Sequence, residues 1–109
     1  MTKITIYKNH SGSYTGFDCI GHAGYADSGQ DIVCAGASAL VINAINSIEN
    51  LTENEVEAGA VEETGEITFR FKKTANEAGK LLMDSLILGL EGIQDNYGSR
   101  YLLLNIKEV

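Results

Sequence analysis

The sequence predicts an α+β sandwich in the order ββαββαβ, a mixed or antiparallel sheet with two helices packed against it. Three observations point there. Short segments of alternating polar and apolar residues come in pairs around turn residues. Two longer stretches carry apolar residues at helical spacing, and each follows one of those hairpins. The 109 residues, without a proline or a low-complexity tract, make a single domain over residues 1–109, because two halves would each be too small to bury a core.

The elements follow in order. Ile4 and Ile6 alternate with Thr5 and Tyr7, the period of a half-buried strand. Asn9 to Ser13 supplies turn residues, and "YTGFDCI" resumes the extended pattern to close a first hairpin. Residues 21–29 hold Gly21, Gly24 and Gly29, fit no regular element and read as a mobile loop. A helix begins near Ser28 to Asp31, where "SGQD" has the form of a capping box. Val33, Ala37, Leu40, Val41, Ala44, Ile48 and Leu51 give it one apolar stripe. "EVEAGAVEE" and "EITFRFKK" form a second hairpin turning at Thr64-Gly65. Thr74 and Glu77 repeat the capping spacing and open a second helix, with Ala78, Leu81, Leu82, Leu86, Leu90 and Ile93 on its apolar face. Gly98 stops it in a left-handed cap. The final strand, "YLLLNIKE", is leucine-rich enough for burial on both faces, or for a partner covering one of them.

Eight basic and fifteen acidic residues give a formal charge of −7. That sign repels a phosphate backbone, so no direct nucleic-acid binding is expected, and it favours a basic protein partner. The first residues read as a strand and not as a signal peptide, and two cysteines in that context imply free thiols and a cytoplasmic setting. No run approaches ~18 consecutive apolar residues, so no membrane span is expected.

The chemistry concentrates in "GHAGYADSGQDIVCAGAS", residues 21–38. Cys34 falls in the first turn of the first helix or just beyond, where the dipole favours a thiolate. His22, in the preceding loop, can fold over that thiol as general base or as imidazolium partner. Asp31 and Ser38 lie three residues before and four after Cys34, on one helix face. Asp31 then orients His22 or binds substrate backbone, though its own charge works against a thiolate, and Ser38 hydrogen-bonds near the sulfur. A plainer reading stands beside this one: Cys34 is a small core residue flanked by Ile32, Val33 and Ala35, His22 a turn residue, Asp31 a helix-start acid and Ser38 a packing residue. Cys19, in the second strand, has no helix end to activate it and reads as packing, and His10 as a solvated turn residue. Paired ligand spacings such as C-x-x-C are absent, so neither a metal nor another cofactor is expected.

Gly21-His22-Ala23, Gly29, Asp31-Ile32-Val33-Cys34-Ala35 and Ser38 together resemble the signature of the ribosomal-processing cysteine protease family, and element order and length match over essentially the whole chain. The resemblance implies a cytoplasmic, homodimeric endopeptidase with a Cys34–His22 dyad, and it marks Gly21, Asp31 and Ser38 as supporting or substrate-binding residues. The implied substrate is large-subunit ribosomal protein twenty-seven, whose N-terminal extension is removed by a cut after an aromatic pair. The implied mechanism is acyl transfer through a thioester, with backbone N–H groups at the helix start, including that of Cys34, as the oxyanion hole. Two other readings compete: a non-enzymatic ribosome-associated binding module, which a buried and unreactive Cys34 would favour, and a thiol redox sensor.

Overall fold

A computed structural model describes residues 1–21, 28–61 and 63–109, with residues 28–31 described by backbone alone. The elements are β1 (Thr2–Lys8), β2 (Tyr14–Ile20), α1 (Ser28–Leu51), β3 (Val56–Val61), β4 (Glu66–Phe71), α2 (Glu77–Tyr97) and β5 (Leu102–Glu108). This is the expected ββαββαβ order. The five strands form one sheet in the order β3-β4-β2-β1-β5. All neighbouring pairs are antiparallel except β1 and β5, which run parallel, so the sheet is mixed. The parallel pair follows from α2, which carries the chain back across the sheet before β5 begins.

The strand register explains the core. Ile4 opposes Cys19 and Leu104, and Ile6 opposes Phe17. Cys19 opposes Ile67 and Phe17 opposes Phe69, which in turn oppose Ala60 and Ala58 of β3. This single row of side chains is the helix-facing side of the sheet. Ile4, Ile6, Phe17, Cys19, Phe69 and Leu102 are buried in it against Val33, Ala37, Val41, Ala44, Ile45 and Ile48 of α1 and Met83, Leu86, Ile87 and Leu90 of α2. The Phe17 and Phe69 rings stack at 5.1 Å. On the opposite face, Tyr7 donates to Asp18 at 2.7 Å and Arg70 sits 2.9 Å from the other Asp18 carboxylate oxygen.

Several expectations about the elements change. The cap of α2 is Asn76 and not Thr74: its side-chain oxygen accepts from the Gly79 N–H at 2.9 Å and from the Asn54 side-chain amide at 2.7 Å. Asn54 returns the bond by accepting the Asn76 N–H at 2.9 Å. This reciprocal amide pair moves the helix start two residues along from the predicted cap. Leu81 is 67% exposed and so outside the buried face of α2, which is Gly79, Met83, Leu86, Ile87 and Leu90. Leu51, the last residue of α1, is also exposed. Gly98 has a positive φ of 98° but an extended ψ of 156°, so it ends the helix without the left-handed helical geometry. β5 is an edge strand with only Leu102 fully buried, so its leucines are not covered on both faces.

Residues 32–51 have a mean hydropathy of 1.5, long and apolar enough on those grounds alone to cross a bilayer. A count of consecutive apolar residues misses this. The apolar side of α1 packs on the sheet, as the core helix of a two-layer domain must.

Candidate active site

Cys34 is the seventh residue of α1 and lies at the margin of its buried stripe. At 100° per residue, Cys34 stands nearly in line with the buried Val41 and Ile48, and Ser38, Ile42 and Glu49 turn away from that line toward the adjoining flank. The thiol is accordingly half-buried and free. Next to it, the chain leaves β2 through Gly21. A Cβ built on Gly21 would stand 3.3 Å from the Cys34 sulfur and 3.9 Å from the Gly65 carbonyl oxygen. Glycine is what lets the strand end lie against the thiol.

Gly65 packs against Gly21 in turn. It sits in the turn between β3 and β4 with φ at +71°, and a Cβ there would come within 3.4 Å of the Gly21 carbonyl oxygen. The sequence marks Gly65 only as a turn residue. Its contact with Gly21 depends on the β2–β4 pairing, which no local pattern reveals.

The predicted site residues therefore divide. Gly21 and Cys34 are brought together. Ser38 lies one turn further along α1, half-buried. Asp31 has its backbone in the first turn of α1, while its side chain, like the whole of His22 and most of the glycine-rich loop, lies outside the described residues. In a helix beginning at Ser28 the first four N–H groups have no partner within the helix, and that of Cys34, the seventh residue, comes at a position that an α-helix bonds to residue 30. His10 lies in the β1–β2 turn and is exposed, as expected of a solvated turn residue.

The second thiol has another character. Cys19 is 1% exposed, and burial, with the nearby charge of Cys34 adding to it, pushes its pKa up to about 11. A thiol held protonated in the core is a poor nucleophile at neutral pH. Of the two cysteines, Cys34 is the one that reaches solvent.

A cleft of about 330 Å³ opens between α1 and β3 and is lined by Ile42, Ile45, Asn46, Glu49, Ala58, Gly59, Ala60 and Ile67. It starts one turn beyond Ser38.

Comparison with known proteins bears directly on this arrangement. The family model described as cysteine protease Prp matches residues 1–102. The chain is 34% identical over 101 residues to the ribosomal processing cysteine protease Prp of Bacillus subtilis, covering 89% of this chain and 90% of that one. It is 31% identical over 107 residues to the protein of the same name from Staphylococcus aureus, covering 98% of this chain and 100% of that one. The crystal structure of the essential Staphylococcus aureus protease with a substrate peptide superposes with a TM-score of 0.91 at 30% identity, over 98% of this chain and 100% of that one. A second structure of that protease, with a covalently linked product peptide, gives a TM-score of 0.86 at 31% identity, again over 98% and 100%. The family model spans residues 1–102 and relatives of the same name match the chain nearly end to end, so the chain belongs to the ribosomal processing cysteine protease family, Prp.

Proposed function

We propose that this cysteine protease removes the N-terminal extension of large-subunit ribosomal protein twenty-seven by cutting after an aromatic pair, through a dyad of Cys34 and His22. The observation that carries the reading is the packing of Gly21, the residue before His22 in the chain, against the Cys34 sulfur. The sequence neighbour of the histidine is thus already at the thiol.

The chemistry runs by acyl transfer. His22 takes the proton of Cys34, and the thiolate sulfur adds to the scissile carbonyl carbon. The tetrahedral intermediate collapses, His22 gives its proton to the departing amine, and a thioester to Cys34 remains. Water, losing a proton to His22, then releases the acid product and restores the thiol. The covalently linked product peptide of the Staphylococcus aureus relative supports a covalent route. Asp31 orients His22 or binds substrate backbone, and Ser38 hydrogen-bonds beside the sulfur. The enzyme works as a homodimer in the cytoplasm. Two exposed leucines spaced two turns apart on α2, Leu81 at 67% and Leu88 at 73%, support an association surface. A net charge of −7 suits a basic ribosomal substrate.

The test is cleavage of a peptide spanning that extension, followed by mass spectrometry with wild type, Cys34→Ala, His22→Ala and Cys19→Ala. A single cut after the aromatic pair, abolished by the first two changes and kept by the third, is the expected result. Full activity in His22→Ala contradicts the dyad, and cleavage elsewhere contradicts the substrate.

A further inference from the structure

The strand register places Ala58 and Ala60 on the helix-facing side of the sheet, next to Phe69 and Ile67, yet both alanines are exposed. Helix α1 lies over the neighbouring strands and stops short of β3, whose small side chains leave its flank uncovered. Facing them across the gap is Ile42, 48% exposed beside the buried Val41 and Ile45 of α1. Together these residues make the apolar walls of the 330 Å³ cleft.

The cleft has a direction. Ile42, Ile45, Asn46 and Glu49 line it along α1, and Cys34 lies a little over two helical turns before Ile42 on the same side of the helix. Eight residues of helix separate Cys34 from Ile42, a rise of about 12 Å. An extended peptide covers that distance in roughly three to four residues. β3 is an edge strand with an unpaired row of backbone donors and acceptors along the outer side, the feature that extended peptides use when they add to a sheet. At the far end stands Glu49, exposed and without an ion-pair partner among the described residues, which favours a positively charged chain.

We propose that this cleft is a specificity subsite: it seats one apolar side chain of the extended substrate, three or four residues from the scissile bond, with a basic stretch of the same peptide beyond it near Glu49. The proposal rests on the protease reading above. It assigns Ile42, Ala60 and Ile67 as residues that select the substrate while taking no part in bond breaking. The side of α1 that carries the thiol then also carries the ruler for where the peptide is cut.

The experiment measures binding and cleavage separately. Fluorescence anisotropy follows the labelled extension peptide binding to Cys34→Ala protein, and mass spectrometry follows cleavage by the enzyme with Cys34 intact. Ile42→Asp, which charges an exposed position, and Ala60→Leu, which fills the gap, are each made in both backgrounds. The expected result is binding about tenfold weaker in either variant, with a matching rise in KM and little change in kcat. An alanine scan of the peptide finds one apolar position, three or four residues from the cut, whose replacement weakens binding to the unsubstituted cleft but adds no further loss in Ile42→Asp. Binding that neither variant alters, or losses that simply add to those of every peptide substitution, would overturn the proposal. So would a change from dimer to monomer in Ile42→Asp with peptide binding intact, which would give the cleft to a second copy of the chain. Peptide that binds through the cleft but is never cut by wild type would overturn the protease substrate assignment alone.

Discussion

A Cβ on Gly21 would stand 3.3 Å from the sulfur of Cys34, closer than carbon and sulfur rest in ordinary contact. The two residues come from different layers of the sandwich, one from the end of a strand and the other from a helix flank. Their contact brings the start of the "GHA" block to the cysteine of the "DIVCA" block. The methyl group in Gly21→Ala has to push the thiol aside by a few tenths of an ångström or displace the strand end that leads to His22. We expect kcat/KM to fall by about ten- to a hundredfold, as small misplacements of reacting groups do, with the thermal midpoint changed by only a few degrees. A variant as active as wild type would show that the contact is incidental to catalysis.

The two thiols should separate cleanly by reactivity. With its pKa pushed up to about 11 by burial, Cys19 stays protonated and shielded in the native protein. Iodoacetamide near neutral pH should add one label to the folded chain, on Cys34, and two in denaturant. The same shift has a stability consequence. A group whose folded pKa is raised stabilises the fold fully below its unfolded value of 9.0 and loses that contribution as pH climbs toward 11. Denaturation midpoints measured across that alkaline range should fall less steeply in Cys19→Ala than in wild type.

On the open face of the sheet, Asp18 is the acid-sensitive group. Burial works to raise its pKa, but the hydrogen bonds from Arg70 and Tyr7 outweigh that and hold it below the ordinary value of 3.8. A depressed carboxylate stabilises the fold above its unfolded pKa and loses that contribution as pH falls through the folded one. Urea midpoints should therefore drop below about pH 4 in wild type and flatten there in Asp18→Asn. The side chain is partly exposed, so the effect is modest and reduced by salt. An unchanged acid limb would mean that other carboxylates carry the transition.

Asn76 gives a mechanical test of the start of α2. Its side-chain oxygen serves both the Gly79 N–H and the Asn54 amide. Asn76→Ala removes the cap and one of the hydrogen bonds of the Asn54 amide, which should cost about 1–2 kcal/mol of stability in equilibrium denaturation. Thr74→Ala, at the position that the sequence pattern favours, should cost much less.

That contrast shows where the sequence was legible. Strands β1 and β4 announce themselves through alternation, Ile4-Thr5-Ile6 and Ile67-Thr68-Phe69, because each has one face toward the helices and one away from them. α1 does the same through its apolar stripe. Capping was less legible: Thr74–Glu77 fits the local pattern, but the actual cap is chosen by Asn54, 22 residues away. Leu81 matched the helical period and still faces solvent, since periodicity cannot say which side of α2 meets the sheet.

The site divides in the same way. Cys34 stands out because it follows a glycine-rich loop at a helix start. Its path to solvent, and the burial of Cys19, depend on which flank of α1 meets β3. Gly65 signalled only a turn, and Ile42 carried no signal of its own. The one clue to Ile42 is its place eight residues after Cys34 and four after Ser38, off the buried stripe. It becomes meaningful only once β3 is seen to lie beyond the reach of the helix.

The most direct test of the central claim is where the peptide becomes attached. Wild-type protein mixed with the extension peptide and quenched in acid during turnover should show, by intact mass and peptide mapping, the N-terminal product fragment as a thioester on Cys34 and no adduct on Cys19. Product formed by the Cys34→Ala protein, or an acyl fragment mapped to any other residue, would contradict the account.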